Sequence, residues 1–287
     1  MKRRAMLFVT MLVLFTVIGY NPVLAADRAA NKTTEEQSPG AVVVEREHGL
    51  IDWTQNYIEA TGMAVAPTGK TGAQGKALAR RGAIVDLQRN LLEFMVGVQV
   101  DARTTMNDFM AEDRVRTEVH GIIRNVELLE GEWDGEAYTI SGRVRLPQIL
   151  TVIMPNIIEI EEKAPKPKPS AAPSKTAGKF TGLVIDARHL PITPTLSFRV
   201  IDEGGNEVYG IRFADPKFAA QSGLATYYNN IDYAKGELRV ATNPIVTKAV
   251  RLTGDGIVIV IPNSAASRVR GSSYDFRKEC KVIIVCK

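Results

Sequence analysis

The sequence predicts an α+β protein of two domains. The first is a strand-helix-hairpin unit with a helix on an antiparallel sheet, and the second is a mixed α/β or α+β unit. Three observations carry this. A Pro/Lys-rich stretch, KAPKPKPSAAPSKTAGK at 163–179, divides the chain. Before it, a long proline-free segment with helical apolar spacing stands beside strand-like runs and an Asp-Gly turn. After it come several short β-like runs, two of them apolar almost throughout.

The first 25 residues are set apart from the fold. Lys2, Arg3 and Arg4 precede an apolar run from Ala5 to Tyr20, which Asn21 and Pro22 end. Val23-Leu24-Ala25 supplies a small-residue cut site, so residues 1–25 read as a secretory signal peptide, with an uncleaved anchor as the rival reading. Removing them changes the charge. The whole chain carries 36 Lys+Arg against 32 Asp+Glu, and three of the basic residues leave with the signal, so the remainder is +1. That near-balance gives no clustered basic surplus of the kind a nucleic-acid binder shows. No later stretch is long and apolar enough to span a bilayer. No cysteine lies at the cut, which leaves no place for a lipid anchor there. A periplasmic or secreted location follows as the expectation.

Residues 26–47 are mostly small and polar and read as a flexible lead-in. The first domain then spans 48–162. LIDWTQNYIEATGMAVAP is strand-like and ends at Pro67, and TGKTGAQG is a Gly-rich turn. Gly69-Lys70-Thr71 does not make a phosphate-binding loop, because Ala64 stands where the motif needs its first glycine. In GKALARRGAIVDLQRNLLEFMVGVQVD, Ile84, Val85, Leu87, Leu91, Leu92, Phe94, Met95 and Val96 fall on one broad helical side. Asp86, Arg89, Asn90 and Glu93 cluster opposite and form the candidate interaction face. Arg80 and Arg81 stand at the margin of the apolar side, which favours packing over phosphate recognition. A short helix is expected near 113–119, then a hairpin turning at Asp134-Gly135. In its second arm Tyr138, Ile140, Val144 and Leu146 alternate with polar residues.

The 163–179 linker combines proline, which favours extended backbone, with lysines that resist collapse. In the domain from 180 to 287, GLVIDA, SFRVIDE, NEVYGI, ELRVA, GIVIVIP and KVIIVC are β-like, Gly204-Gly205 turns a hairpin, and helices are expected near 214–221 and 265–270. The apolar runs of GIVIVI and KVIIV predict strands covered on both faces. Read as one strand, CKVIIVC puts Cys280 and Cys286 too far apart to bridge, which predicts two buried free thiols.

Residues with chemical potential are scattered. His48, His120 and His189 have no metal-ligand spacing, and no Gly-x-Ser-x-Gly elbow occurs. Asp52, Glu59, Asp86 and Glu93 are the carboxylates that paired glycoside chemistry would draw on. Trp53, Tyr57 and Trp133 suit sugar stacking or, more commonly, core packing.

The motifs ALARRGAIVDLQRNLLE, GVQVDARTT and DFMAEDRVRTEVHGIIRNVELLE, with the Asp-Gly hairpin, resemble the twenty-kilodalton bacterial surface lipoprotein family. That family is similar in turn to the N-terminal domain of flagellar assembly protein T. The matched positions include Asp86 with Arg89 and Asn90, Val100-Asp101, Asp108-Phe109 and Val119-x-Gly121, across roughly 48–150. The resemblance implies an envelope-located, non-enzymatic protein without a cofactor, with envelope or flagellar basal-body proteins as partners. The lipidated N-terminal cysteine of that family is missing here, so its lipid anchoring does not carry over. The expectation is an exported structural or interaction protein. The alternative is a periplasmic ligand-binding or hydrolytic protein acting on cell-wall material.

Overall fold

A glycine sets how closely helix and sheet meet in the first domain. The structure is a computed structural model that describes residues 39–163, 178–254 and 258–287. The expected signal peptide, most of the lead-in and nearly all of the linker lie outside the described residues. Five antiparallel strands, β1 (Val43–Arg46), β2 (Gly49–Asp52), β3 (Tyr57–Val65), β4 (Glu127–Trp133) and β5 (Ala137–Arg145), pair in the order β1-β2-β3-β5-β4. Helix α1 (Gly72–Val96) lies across β3 and β5. A Cβ on Gly62 of β3 would stand 2.2 Å from the Leu87 nitrogen and 2.3 Å from the Ala83 carbonyl oxygen. Only glycine permits that backbone-to-backbone approach.

Small residues complete the fit. Gly75, Ala79 and Ala83 are buried at four-residue intervals along α1, ahead of Leu87, Leu91, Phe94 and Met95. The buried stripe is therefore rotated from the side that helical spacing alone selects. Val85, expected inside, is 66% exposed, and Asn90, expected outside, is 3% exposed. Intermediate burial of Ile84, Leu92 and Val96 marks the edge of the stripe.

Three more helices follow the expected order with corrections. The short α2 (Met106–Phe109) starts on a capping box between Thr105 and Asp108. Helix α3 (Asp113–Arg124) begins where expected and runs past 119 through Ile122 and Ile123, so the first hairpin arm starts only at Glu127. Helix α4 (Leu146–Lys163) is unanticipated: Pro155 and β-branched residues obscure eighteen helical residues that bury Ile149, Leu150, Ile153 and Ile157. The lead-in also ends earlier than expected, since Val43–Arg46 forms β1, with Val43 opposite Asp52.

The second domain has two sheets. A parallel sheet has the order β10-β6-β13-β9, from β6 (Gly182–Asp186), β9 (Thr226–Tyr228), β10 (Pro244–Lys248) and β13 (Val282–Val285). A mixed sheet has the order β11-β12-β7-β8, from β7 (Arg199–Asp202), β8 (Glu207–Tyr209), β11 (Arg251–Thr253) and β12 (Val258–Ile261). Strands β12 and β13 are buried at all four positions, as their apolar runs predict. Helices α5 (Pro216–Ser222) and α7 (Asn263–Arg270) lie where expected, and α6 (Ile231–Gly236) is added between β9 and β10. ELRVA forms turns instead of a strand, with Leu238 91% exposed, and the strand follows it at Pro244. The fold is thus α+β, with a helix on an antiparallel sheet and a separate C-terminal domain.

Candidate functional site

Of the four candidate residues on helix α1, Asn90 is buried, Asp86 is half-buried and the other two face solvent. The Asn90 side-chain amide donates to the Thr61 carbonyl at 2.8 Å, and the Asp86 carboxylate accepts from the Met63 amide at 3.0 Å. Both bonds reach main-chain groups of β3 beside the Gly62 contact. These bonds fasten the helix to the strand; burial takes Asn90 off an exposed face, while Asp86 stays half-exposed at its edge. Arg89 and Glu93 are exposed on the same helix.

The opposite face of the sheet is a second surface. Because side chains alternate along a strand, Tyr57, Glu59, Thr61, Met63 and Val65 of β3 point away from α1. Glu59 pairs with Arg143 directly across from it on β5, and the Arg143 guanidinium lies over the Tyr57 ring at 4.5 Å. The Thr61 and Ser141 hydroxyls share a hydrogen bond of 2.8 Å. Cross-strand pairs of this kind hold side chains in place on a surface that is only half-buried. Met63 and Val65 continue it as exposed apolar residues, at 57% and 56%.

The carboxylates singled out for glycoside chemistry do not converge. Asp52 is 5% exposed and accepts from the Thr54 and Gln55 amides, closing the β2–β3 turn. Burial raises its pKa, and those amide bonds oppose the shift. Glu59 lies with Arg143 on the face away from α1, whereas Asp86 and Glu93 are on α1. The sheet separates the two sets. Trp53 is buried edge-on against Tyr227, with ring centroids 5.8 Å apart, and Trp133 packs across from Tyr138. His48 and His189 are exposed and His120 is half-buried. Among the described residues, no group of three or more His, Cys, Asp or Glu side chains could hold a metal ion.

The β2–β3 turn has a use that sequence reasoning missed. Residues 39–287 form one compact unit, and this turn joins the two domains. The Thr54 hydroxyl accepts from the Val42 amide at 2.9 Å and donates to the Tyr227 carbonyl of β9. The Tyr227 amide donates to the Trp53 carbonyl, and the Asn56 amide group reaches the Ser222 and Ala225 carbonyls. Ala41 bridges Tyr228, so the residues before β1 add to the edge of the parallel sheet. Arg239 donates to the carbonyls of Ser222, Gly223 and Cys280 and fixes the loop that receives Asn56. Its guanidinium has its pKa lowered by burial. Away from this seam, an open groove of about 390 Å³ lies between α3 and α4, lined by Glu118, Gly121, Ile122, Asn125, Gln148 and Val152.

The second domain has a counterpart among known families. Residues 182–287 match the model of the second domain of Treponema pallidum Tp0624. The match takes in both sheets of that domain and stops short of the first. It points to a bacterial family and says nothing of flagellar assembly protein T or of the surface lipoproteins. A comparison with curated proteins finds no match to the chain.

Proposed function

We propose that this is an exported, non-enzymatic protein of the bacterial cell envelope that acts through its surfaces. The observation that carries the reading is the separation of the candidate carboxylates. Asp52 closes a turn and Glu59 is paired with Arg143 on one side of the sheet, while Asp86 and Glu93 belong to the helix on the other. General acid–base chemistry on a glycosidic bond needs two carboxylates flanking one bond, and these four have other partners or other directions. The envelope address rests on the basic start, apolar run and Val-Leu-Ala site of residues 1–25. The family matched by residues 182–287 supports only the bacterial part of the reading.

The surfaces offered to a partner are the Arg89/Glu93 edge of α1 and the ordered polar face around Tyr57, Arg143 and Ser141. Flagellar association is the finer proposal and rests on the motif resemblance of the first domain. Photo-crosslinkers placed at Arg89 and at Thr139, which stands opposite Met63 on β5, test it in envelope preparations, with mass spectrometry of the adducts. The expected outcome is a recurring envelope protein captured from at least one position. Release of soluble fragments from purified peptidoglycan by the wild-type chain would instead establish the hydrolytic alternative.

A further inference from the structure

Strand β10 ends the parallel sheet, and its outer edge is open. In the order β10-β6-β13-β9 it pairs with β6 alone. Main-chain groups alternate in direction along a strand. The Ala249 amide donates to the Asp186 carbonyl of β6, so Ile245, Thr247 and Ala249 turn their main-chain groups toward β6. Pro244, Val246 and Lys248 turn theirs outward. At Val250 the outward amide donates to the Val260 carbonyl of β12, so the open edge ends at Lys248. Val246, at its midpoint, is 39% exposed. Two other edges are blunted or covered. Strand β4 carries Glu127, Glu130 and Glu132 and a register shift between Leu128 and Gly131, and charges and bulges of this kind discourage strand addition. Strand β9 is met by Ala41 at Tyr228.

The outward groups of β10 match a second set of themselves. We propose that β10 pairs antiparallel with β10 of a second copy of this chain, about a two-fold axis through Val246, joining two four-stranded sheets into one of eight strands. In that register Val246 exchanges both main-chain bonds with its counterpart, and at each end the Lys248 amide of one copy donates to the Pro244 carbonyl of the other. Pro244 has no amide to give. The Lys248 carbonyl that stands opposite it already accepts from the Thr247 hydroxyl of its own chain, at 3.5 Å. The one donor that the register lacks is thus replaced within each copy. The two Val246 side chains meet on one face and cover each other. The two Lys248 side chains stand four residues apart along the pair, or about 13 Å. No like charges face each other, which is the condition a self-pairing edge must meet.

Sedimentation equilibrium of the chain from Ala26 onward, which holds the whole compact unit 39–287, tests the pairing. A five-residue edge makes a small interface, so weak association is expected, with dimer present at about 200 µM chain. Val246→Pro removes the outward amide at the two-fold axis and suits an edge strand, since its bonds to β6 come from the neighbouring residues. Val246→Glu sets two like charges face to face. Each is expected to weaken association about tenfold or more. Val85→Glu, at a 66% exposed valine on α1, should leave it unchanged. Circular dichroism checks that each variant is folded, and Val246→Glu decides alone should Val246→Pro not fold. A monomeric wild type, or a dimer equally strong in the folded variants, would overturn the proposal. A photo-crosslinker at Lys248 is expected to give a doubled chain, joined to the β10 peptide of the second copy. Adducts only to other segments of the chain, or only to a different protein in envelope extracts, would also overturn it.

Discussion

The hydroxyl of Thr54 is hydrogen-bonded on both sides, to the Val42 amide before β1 and to the Tyr227 carbonyl in β9. One buried oxygen thus joins three segments and both domains. Thr54→Val keeps the shape and leaves a buried donor and a buried acceptor unsatisfied. We expect a loss of about 1–3 kcal/mol, measured by urea unfolding. A change below about 0.5 kcal/mol, the range of an ordinary surface substitution, would mean the hydroxyl is not a joint.

The same seam predicts what proteolysis yields. The Pro/Lys linker is where trypsin is expected to act, after Lys175 or Lys179, since the bonds after Lys166 and Lys168 precede proline. The two fragments should nevertheless elute together from a sizing column, because Asn56, Thr54 and Arg145 hold the second domain through main-chain carbonyls. Separate elution without denaturant would show the seam to be weak.

Gly62→Ala should be among the most damaging single methyl additions in the first domain. The added carbon meets main-chain atoms of α1, which cannot move without lifting the helix from β3. A loss of about 3 kcal/mol is expected, with reduced melting temperature as the readout. By contrast Gly121→Ala, where nothing lies within 4 Å of the new carbon, should be neutral or slightly stabilising, as Ala favours a helix interior.

Arg89 and Asn90 are adjacent in sequence and should behave oppositely. Asn90→Ala removes the bond to the Thr61 carbonyl and should cost about 1–3 kcal/mol. Arg89→Glu should alter stability by no more than about 0.5 kcal/mol, while weakening capture of any partner that uses this edge. Denaturation curves for the pair, with crosslinking yield for Arg89→Glu, check both. Equal capture by that variant would move the interface to the sheet face.

Cys280 and Cys286 are buried and free. Burial pushes the Cys286 thiol up to about 11 and raises that of Cys280 as well, so little thiolate exists near neutral pH. Neither should react with a thiol reagent in the native protein, and both should react after unfolding. Rapid native labelling at either position would contradict the burial.

Some of this was legible in the sequence, and the reasons are particular. The apolar runs in β12 and β13 identify buried strands because polar residues are absent from both faces. The Asp134-Gly135 hairpin is equally plain: Asp134 accepts from the Glu136 and Ala137 amides, and Gly135 takes φ +109°. Helix α4 was hidden by Pro155 and by Val152 and Ile153, which score as strand formers. The burial of Asn90 was not legible, because helical spacing shows only which residues share a side. It cannot show that a strand passes beneath and offers main-chain donors and acceptors to polar side chains. The seam was invisible for a related reason: Thr54 and Tyr227 are 173 positions apart, and nothing local marks either.

The order of strands in the parallel sheet has a consequence for synthesis. Strand β13, made after every other strand of that sheet, lies in its interior between β6 and β9. Until residues 282–285 emerge, β6 and β9 have no common neighbour, and the Trp53 turn has only an incomplete sheet to dock on. The parallel sheet on which that turn docks is thus completed by the last strand of the chain to be made.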